Sequence, residues 1–102
     1  MKKTISITLD RERQLRLDLN AMSTFEDITG KSLFTIGEAL QEARNVRALL
    51  YAALKSAGED ITLDQVGENI GMHNFAIVSE TIGKLMTASY GKPSDENDEG
   101  KK

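Results

Sequence analysis

Cysteine and tryptophan are absent from these 102 residues, and histidine occurs once. Without cysteine there is no disulfide, no thiolate metal site and no Cys nucleophile. A small secreted scaffold would have nothing to staple it, so an intracellular setting is the expectation. Aromatic residues make up 5% of the chain, which leaves Leu, Ile, Val, Ala and Met to build the core. A chain this short supports one such core, burying roughly 60 to 68% of the unfolded surface, and not two.

A surplus of positive charge is also missing. The net charge is -3, whereas a protein whose main task is neutralising phosphate carries excess Lys and Arg on one face. No basic half is hidden, because residues 1–91 hold 10 basic and 12 acidic side chains and residues 92–102 hold 3 and 4. The mild N-terminal cluster of Lys2, Lys3, Arg11, Arg13 and Arg16 is diluted by Asp10, Glu12 and Asp18. Long apolar runs are missing too. The longest, Ala48 to Leu54, has seven residues, far below the ~20 of a membrane span. Thr4, Ser6, Thr8 and Asp10 interrupt the hydrophobics after Lys2-Lys3, so a signal peptide is not expected and the chain is expected to be soluble.

What is present is a change of period. Ile5, Ile7 and Leu9 alternate with polar residues, as do Leu15, Leu17 and Leu19, which predicts two strands, 4–9 and 14–19, joined through Asp10-Arg11-Glu12-Arg13 as a β-hairpin. From Asn20 the spacing turns helical. Met22, Phe25 and Ile28 predict a first helix stopped by Gly30, and Ser32 reads as the cap of a second carrying Leu33, Ile36 and Leu40. A third, from Asn45 to Ala57 before Gly58, is apolar nearly all round and is expected to be the buried spine. Thr62 with Gln65 forms a capping box for a short fourth helix through Val66 and Ile70. His73 or Asn74 opens a fifth, with Ile77, Val78, Ile82, Leu85 and Met86 at helical spacing and Gly91 as its stop. The fold expected is α+β, an N-terminal hairpin packed on a bundle of four to five short helices. Residues 1–91 form the single domain. Residues 92–102 contain no large apolar side chain and read as a disordered acidic tail.

Motifs that would carry chemistry fail on spacing. Gly30-Lys31-Ser32 looks like the end of a P-loop, but the first glycine of that motif would fall at Phe25, after no strand. Asp60-Ile61-Thr62-Leu63-Asp64 alternates oxygen ligands like an EF-hand loop, yet Gln65 stands where its glycine belongs. His73 alone cannot supply a catalytic triad. No enzyme activity, cofactor or metal is therefore expected. Residues 62–82 match the spacing of a helix-turn-helix, with Gly67, Gly71, Val66, Ile70, Met72 and Ile77 in place, which makes a small DNA-binding regulator the alternative reading. Against it, no Lys or Arg occurs between Lys55 and Lys84, and Asp64, Glu68 and Glu80 would repel phosphate.

Two stretches carry a resemblance. Leu15-Arg16-Leu17-Asp18-Leu19-Asn20-Ala21-Met22 through Phe25-Glu26-Asp27-Ile28-Thr29-Gly30-Lys31-Ser32-Leu33 is the first. The second is Val46-Arg47-Ala48-Leu49-Leu50-Tyr51-Ala52-Ala53-Leu54 through Ile61-Thr62-Leu63-Asp64-Gln65-Val66-Gly67. In order and spacing, with the preceding hairpin and the acidic end, they resemble the tail assembly chaperones of long-tailed, siphovirus-type bacteriophages over most of residues 4–91. The resemblance implies a non-enzymatic factor of the infected host cytoplasm that coats the tape measure protein and is displaced as tube subunits polymerise. It further implies absence from the mature virion, and a longer frameshifted form that recruits the tail tube protein.

Such a role calls for apolar anchors on a polar surface. Phe34, off the Leu33/Ile36/Leu40 side, Tyr51, on the weaker face of the third helix, and Phe75, at the start of the fifth, are the candidate partner-binding residues. Each also reads as an ordinary core aromatic. Homo-oligomers are an open expectation, using the same exposed apolar residues. Gly100-Lys101-Lys102 is where adenine-rich codons could form a slippery run for the frameshift.

Overall fold

The computed structural model describes residues 4–90, with the side chains of residues 89 and 90 left aside. The expected Gly91 stop, the 92–102 segment and its frameshift codons lie outside the described residues. An antiparallel hairpin of β1 (Ile5–Thr8) and β2 (Glu12–Leu15) is followed by helices α1 (Leu19–Thr29), α2 (Ala43–Ser56), α3 (Leu63–Glu68) and α4 (Phe75–Tyr90). The class is α+β.

The hairpin pairs Ile5 with Leu15 and Ile7 with Arg13. Its second strand ends at Leu15 rather than at Leu19, because the backbone there turns from β1 to the end of α2. Beyond it Arg16 donates its N–H to the Ala53 carbonyl, 3.1 Å away in α2. The apolar alternation persists one step further, into buried Leu17, and then Asp18 caps α1 by accepting from the Ala21 N–H at 3.0 Å. Leu19, expected on the strand face, is thus the first residue of a helix and stands in solvent.

Arg13 does not belong to a polar connection as the sequence suggested; it is a buried residue of β2. A buried guanidinium must be paired, and here it is paired twice. Its Nε and Nη2 donate to the two carboxylate oxygens of Asp10 at 3.0 and 2.8 Å, and Nη1 donates to Glu59 Oε1 at 3.0 Å. Glu59 Oε2 in turn accepts the Gln14 N–H at 3.1 Å. What brings Glu59 there is the end of α2. Gly58 is left-handed at φ 91°, with Gly58 N–H on Lys55 O and Glu59 N–H on Leu54 O, the pair of bonds that defines a Schellman stop.

Gly30 ends α1 as expected, left-handed at φ 73° with its N–H on Glu26 O. The second expected helix is absent. Ser32 accepts the Phe34 N–H at 3.1 Å and so closes a turn rather than capping a helix. Gly37 at φ 59° then interrupts any α-helical continuation. Only a 3₁₀ turn, Gly37–Gln41, follows. Leu33 is buried nonetheless, and Ile36 and Leu40 pack on the core as their spacing implied.

α2 is the spine. Val46, Ala48, Leu49, Leu50, Ala52, Ala53 and Leu54 are all buried, and the helix packs against α1, β2 and α3. Fully buried Asn45 donates Nδ2 to the Ala39 carbonyl at 2.7 Å, tying the 3₁₀ turn to the start of α2. At the other end Arg16 Nη1 donates to Ser56 O at 2.7 Å, a cation on the helix C-terminus, while the Ser56 hydroxyl donates to Asp18. Burial pushes the Asp18 carboxyl up, but the bonds from Ser56 and Ala21 outweigh it and leave it below the usual carboxylate range. α4 packs on β1 and buries Val78, Ile82 and Leu85.

Candidate interaction groove

Thr62 and Gln65 form the expected capping box: Thr62 Oγ1 accepts the Gln65 N–H at 3.1 Å and Gln65 Oε1 accepts the Thr62 N–H at 2.9 Å. This fixes α3 against α2 through buried Val66. The connection to α4 is held by one side chain. Asn74 Oδ1 accepts the Gly71 N–H at 2.8 Å, and its Nδ2 donates to Asn69 O at 2.9 Å. Asn74 therefore locks the preceding turn, and only its carbonyl, accepting from Val78, serves the helix.

Between the first turns of α2 and this corner lies an open groove of about 650 Å³. Its surface is almost wholly apolar, contributed by Ala43 and Val46 of α2, Ile70 and Met72 of the connection, and Phe75 of α4. Two guanidiniums border it. Among the described residues Arg44 is held only by a long 3.8 Å contact to Glu42, with both side chains mostly exposed. Arg47 lies across Gly67, where a Cβ would come within 3.1 Å of its Cδ. Glycine at 67 is what allows the Arg47 stem to lie flat there.

The three candidate anchors fall in three different places. Phe75 is 38% exposed and lines the groove. Phe34 is 63% exposed in the turn after α1 and is not among the groove-lining residues, and Tyr51 is half-buried on α2 and packed on the core. Sequence reasoning missed the most prominent residue, Met72, which is 94% exposed. Ile77, grouped by helical spacing with Val78, Ile82, Leu85 and Met86, is 61% exposed. The signal was available: Ile77 sits one residue out of phase with Val78, Ile82 and Leu85. Ile28 shows the same drift on α1, exposed while Met22 and Phe25 are buried.

His73 is exposed beside the corner. No group of three or more His, Cys, Asp or Glu side chains able to hold a metal occurs among the described residues. Among them, too, no helix is long and apolar enough to cross a membrane. The chain matches no family model, no curated protein and no solved structure.

Proposed function

We propose that the chain is a tail assembly chaperone of a long-tailed, siphovirus-type bacteriophage, which binds the tape measure protein, keeps it soluble in the host cytoplasm and helps recruit the tail tube protein through a longer frameshifted form. It leaves before the virion matures. The reading takes the hairpin, the four helices and the 3₁₀ turn as one packed unit. The observation that supports it best is the open apolar corner, where Met72, Phe75 and Ile77 stand in or near solvent on a small acidic chain. Exposed apolar surface gathered at one place marks an interaction site, and a chaperone for an aggregation-prone partner needs such a place. The order of the segments at 15–33 and 46–67 supports the family.

Co-expression with the tape measure protein of the same phage tests this. The wild-type chain is expected to move the tape measure protein into the soluble fraction, and Met72→Asp, folded by circular dichroism, to fail. A tape measure protein that stays insoluble beside the wild-type chain overturns the reading. So does tight, sequence-selective retention of duplex DNA at physiological salt, which belongs to a regulator.

A further inference from the structure

We propose that the groove between α2 and the α3–α4 corner selects an amphipathic helix whose apolar stripe is flanked by carboxylates. The inference deepens the proposed function by naming the kind of segment its partner presents, and rests on that reading only for which protein carries the segment. The lining, from Val46, Ile70, Met72 and Phe75, offers aliphatic, thioether and ring surface and little else. An extended segment laid there would leave its own N–H and C=O groups without partners. A helix satisfies its backbone internally and needs only apolar anchors at i, i+3, i+4 and i+7. Met72, flexible and polarisable, is suited to accommodate anchors of varied shape.

The charge of the rim selects the flanks. Among the described residues the Arg44 side chain has only its long contact to Glu42, and the Arg47 side chain makes no hydrogen bond or ion pair. Both border a desolvating apolar lining, so an incoming carboxylate gains a partner while an incoming ammonium meets like charge. The chain's own acidic segment, residues 92–102, carries Asp95, Glu96, Asp98 and Glu99 but no large apolar side chain, and would leave the lining uncovered.

The test uses the full chain and two fluorescein-labelled synthetic peptides of about 18 residues, above the ~12–15 at which an isolated helix becomes marginal. Both carry Leu at i, i+3, i+4 and i+7; one has Glu on either side of the stripe, the other Lys. Fluorescence anisotropy is expected to show the Glu peptide binding roughly tenfold more tightly than the Lys peptide, the sum of small terms from two partly shielded charge pairs. Arg44→Glu with Arg47→Glu reverses the preference, and Met72→Asp weakens both peptides while leaving the thermal midpoint in place. Equal affinity for the two peptides, no binding of either, or insensitivity to these variants overturns the proposal. Concentration-dependent dimers in sedimentation that Met72→Asp dissolves would make the occupant a second copy and overturn it too. So would a tenfold gain in peptide affinity on Asp95→Asn, Glu96→Gln, Asp98→Asn and Glu99→Gln together, which would make it the chain's own segment. Because no tape measure protein is used, a failed co-expression test with a positive peptide result leaves the groove standing and removes only the named partner.

Discussion

Arg13 is the side chain on which the hairpin's attachment depends. The Arg13 guanidinium beside it holds the Asp10 carboxyl down to about 2. Glu59 lies below the usual carboxylate range because it accepts the Gln14 N–H and, next, the Arg13 fork. Carboxyl groups depressed in the folded state bind fewer protons than in the unfolded chain. Their contribution is therefore complete above the unfolded values near 4 and is lost as pH falls toward 2. Thermal midpoints measured from pH 7 to pH 2 should fall most steeply in that lower window. Arg13→Gln should lower the midpoint at pH 7 by several degrees and flatten the acid slope, since Asp10 and Glu59 return toward ordinary values. Parallel acid slopes for the two proteins would show that the carboxylates are not coupled to folding through Arg13. Nothing in the sequence pattern singled Arg13 out, because a buried charge is legible only once its partners, three and 46 residues away, are brought to it.

Among the elements, the two glycines at 58 and 67 separate folding from binding. Gly58 is left-handed with nothing within 4 Å of a built Cβ, so Gly58→Ala suffers backbone strain alone, about 1 to 2 kcal/mol. That corresponds to a drop of roughly 4 to 16 °C in thermal midpoint. Gly67 is helical, so alanine there is favoured by up to ~1 kcal/mol of helix propensity, but its Cβ meets Arg47 Cδ at 3.1 Å. Gly67→Ala should hold or raise the midpoint while displacing Arg47 and weakening the Glu peptide. A midpoint unchanged by Gly58→Ala, or a Gly67→Ala that binds like wild type, would contradict these assignments. Thr62→Ala removes half of the capping box and should cost about 1 kcal/mol, read as a lower urea midpoint at unchanged m-value.

Period and capping made much of this scale legible. The helical stripe of α2, the Gly30 and Gly58 stops and the Thr62/Gln65 box all stand where the spacing put them. The 33–40 helix failed for one local reason: apolar spacing at i, i+3 and i+7 does not reveal that Gly37 lies at positive φ. The strand 14–19 failed because alternation continues through any extended chain, paired or not. At the groove, Phe75 was legible and Met72 was not. A methionine in a turn carries no period, and its exposure follows from the Asn74 side chain pinning Gly71 and Asn69 beneath it.

As a whole, the molecule is a helix wrapped by its neighbours: α1, β2 and α3 close around α2, and the hairpin connects that core to α4. Leu49 is fully buried at the centre. Leu49→Ala should cost about 2 to 5 kcal/mol, and a larger loss of midpoint than any groove variant tests whether core and groove are separate. Tyr51→Asp should behave like the core substitution and Phe75→Asp like the groove ones, which thermal melts of the two variants would distinguish directly.

In the proposed role the partner is met at the α2–α3–α4 corner. The chain contains four methionines, and Met72 stands in solvent while Met22 is buried on the core face of α1, so carbon-13 methyl spectra of the full chain hold both the probe and its control. On adding a soluble helical segment of the tape measure protein, the Met72 methyl signal is predicted to shift and broaden while Met22 stays in place. A bound segment, confirmed by anisotropy, that leaves the Met72 signal untouched would contradict the account.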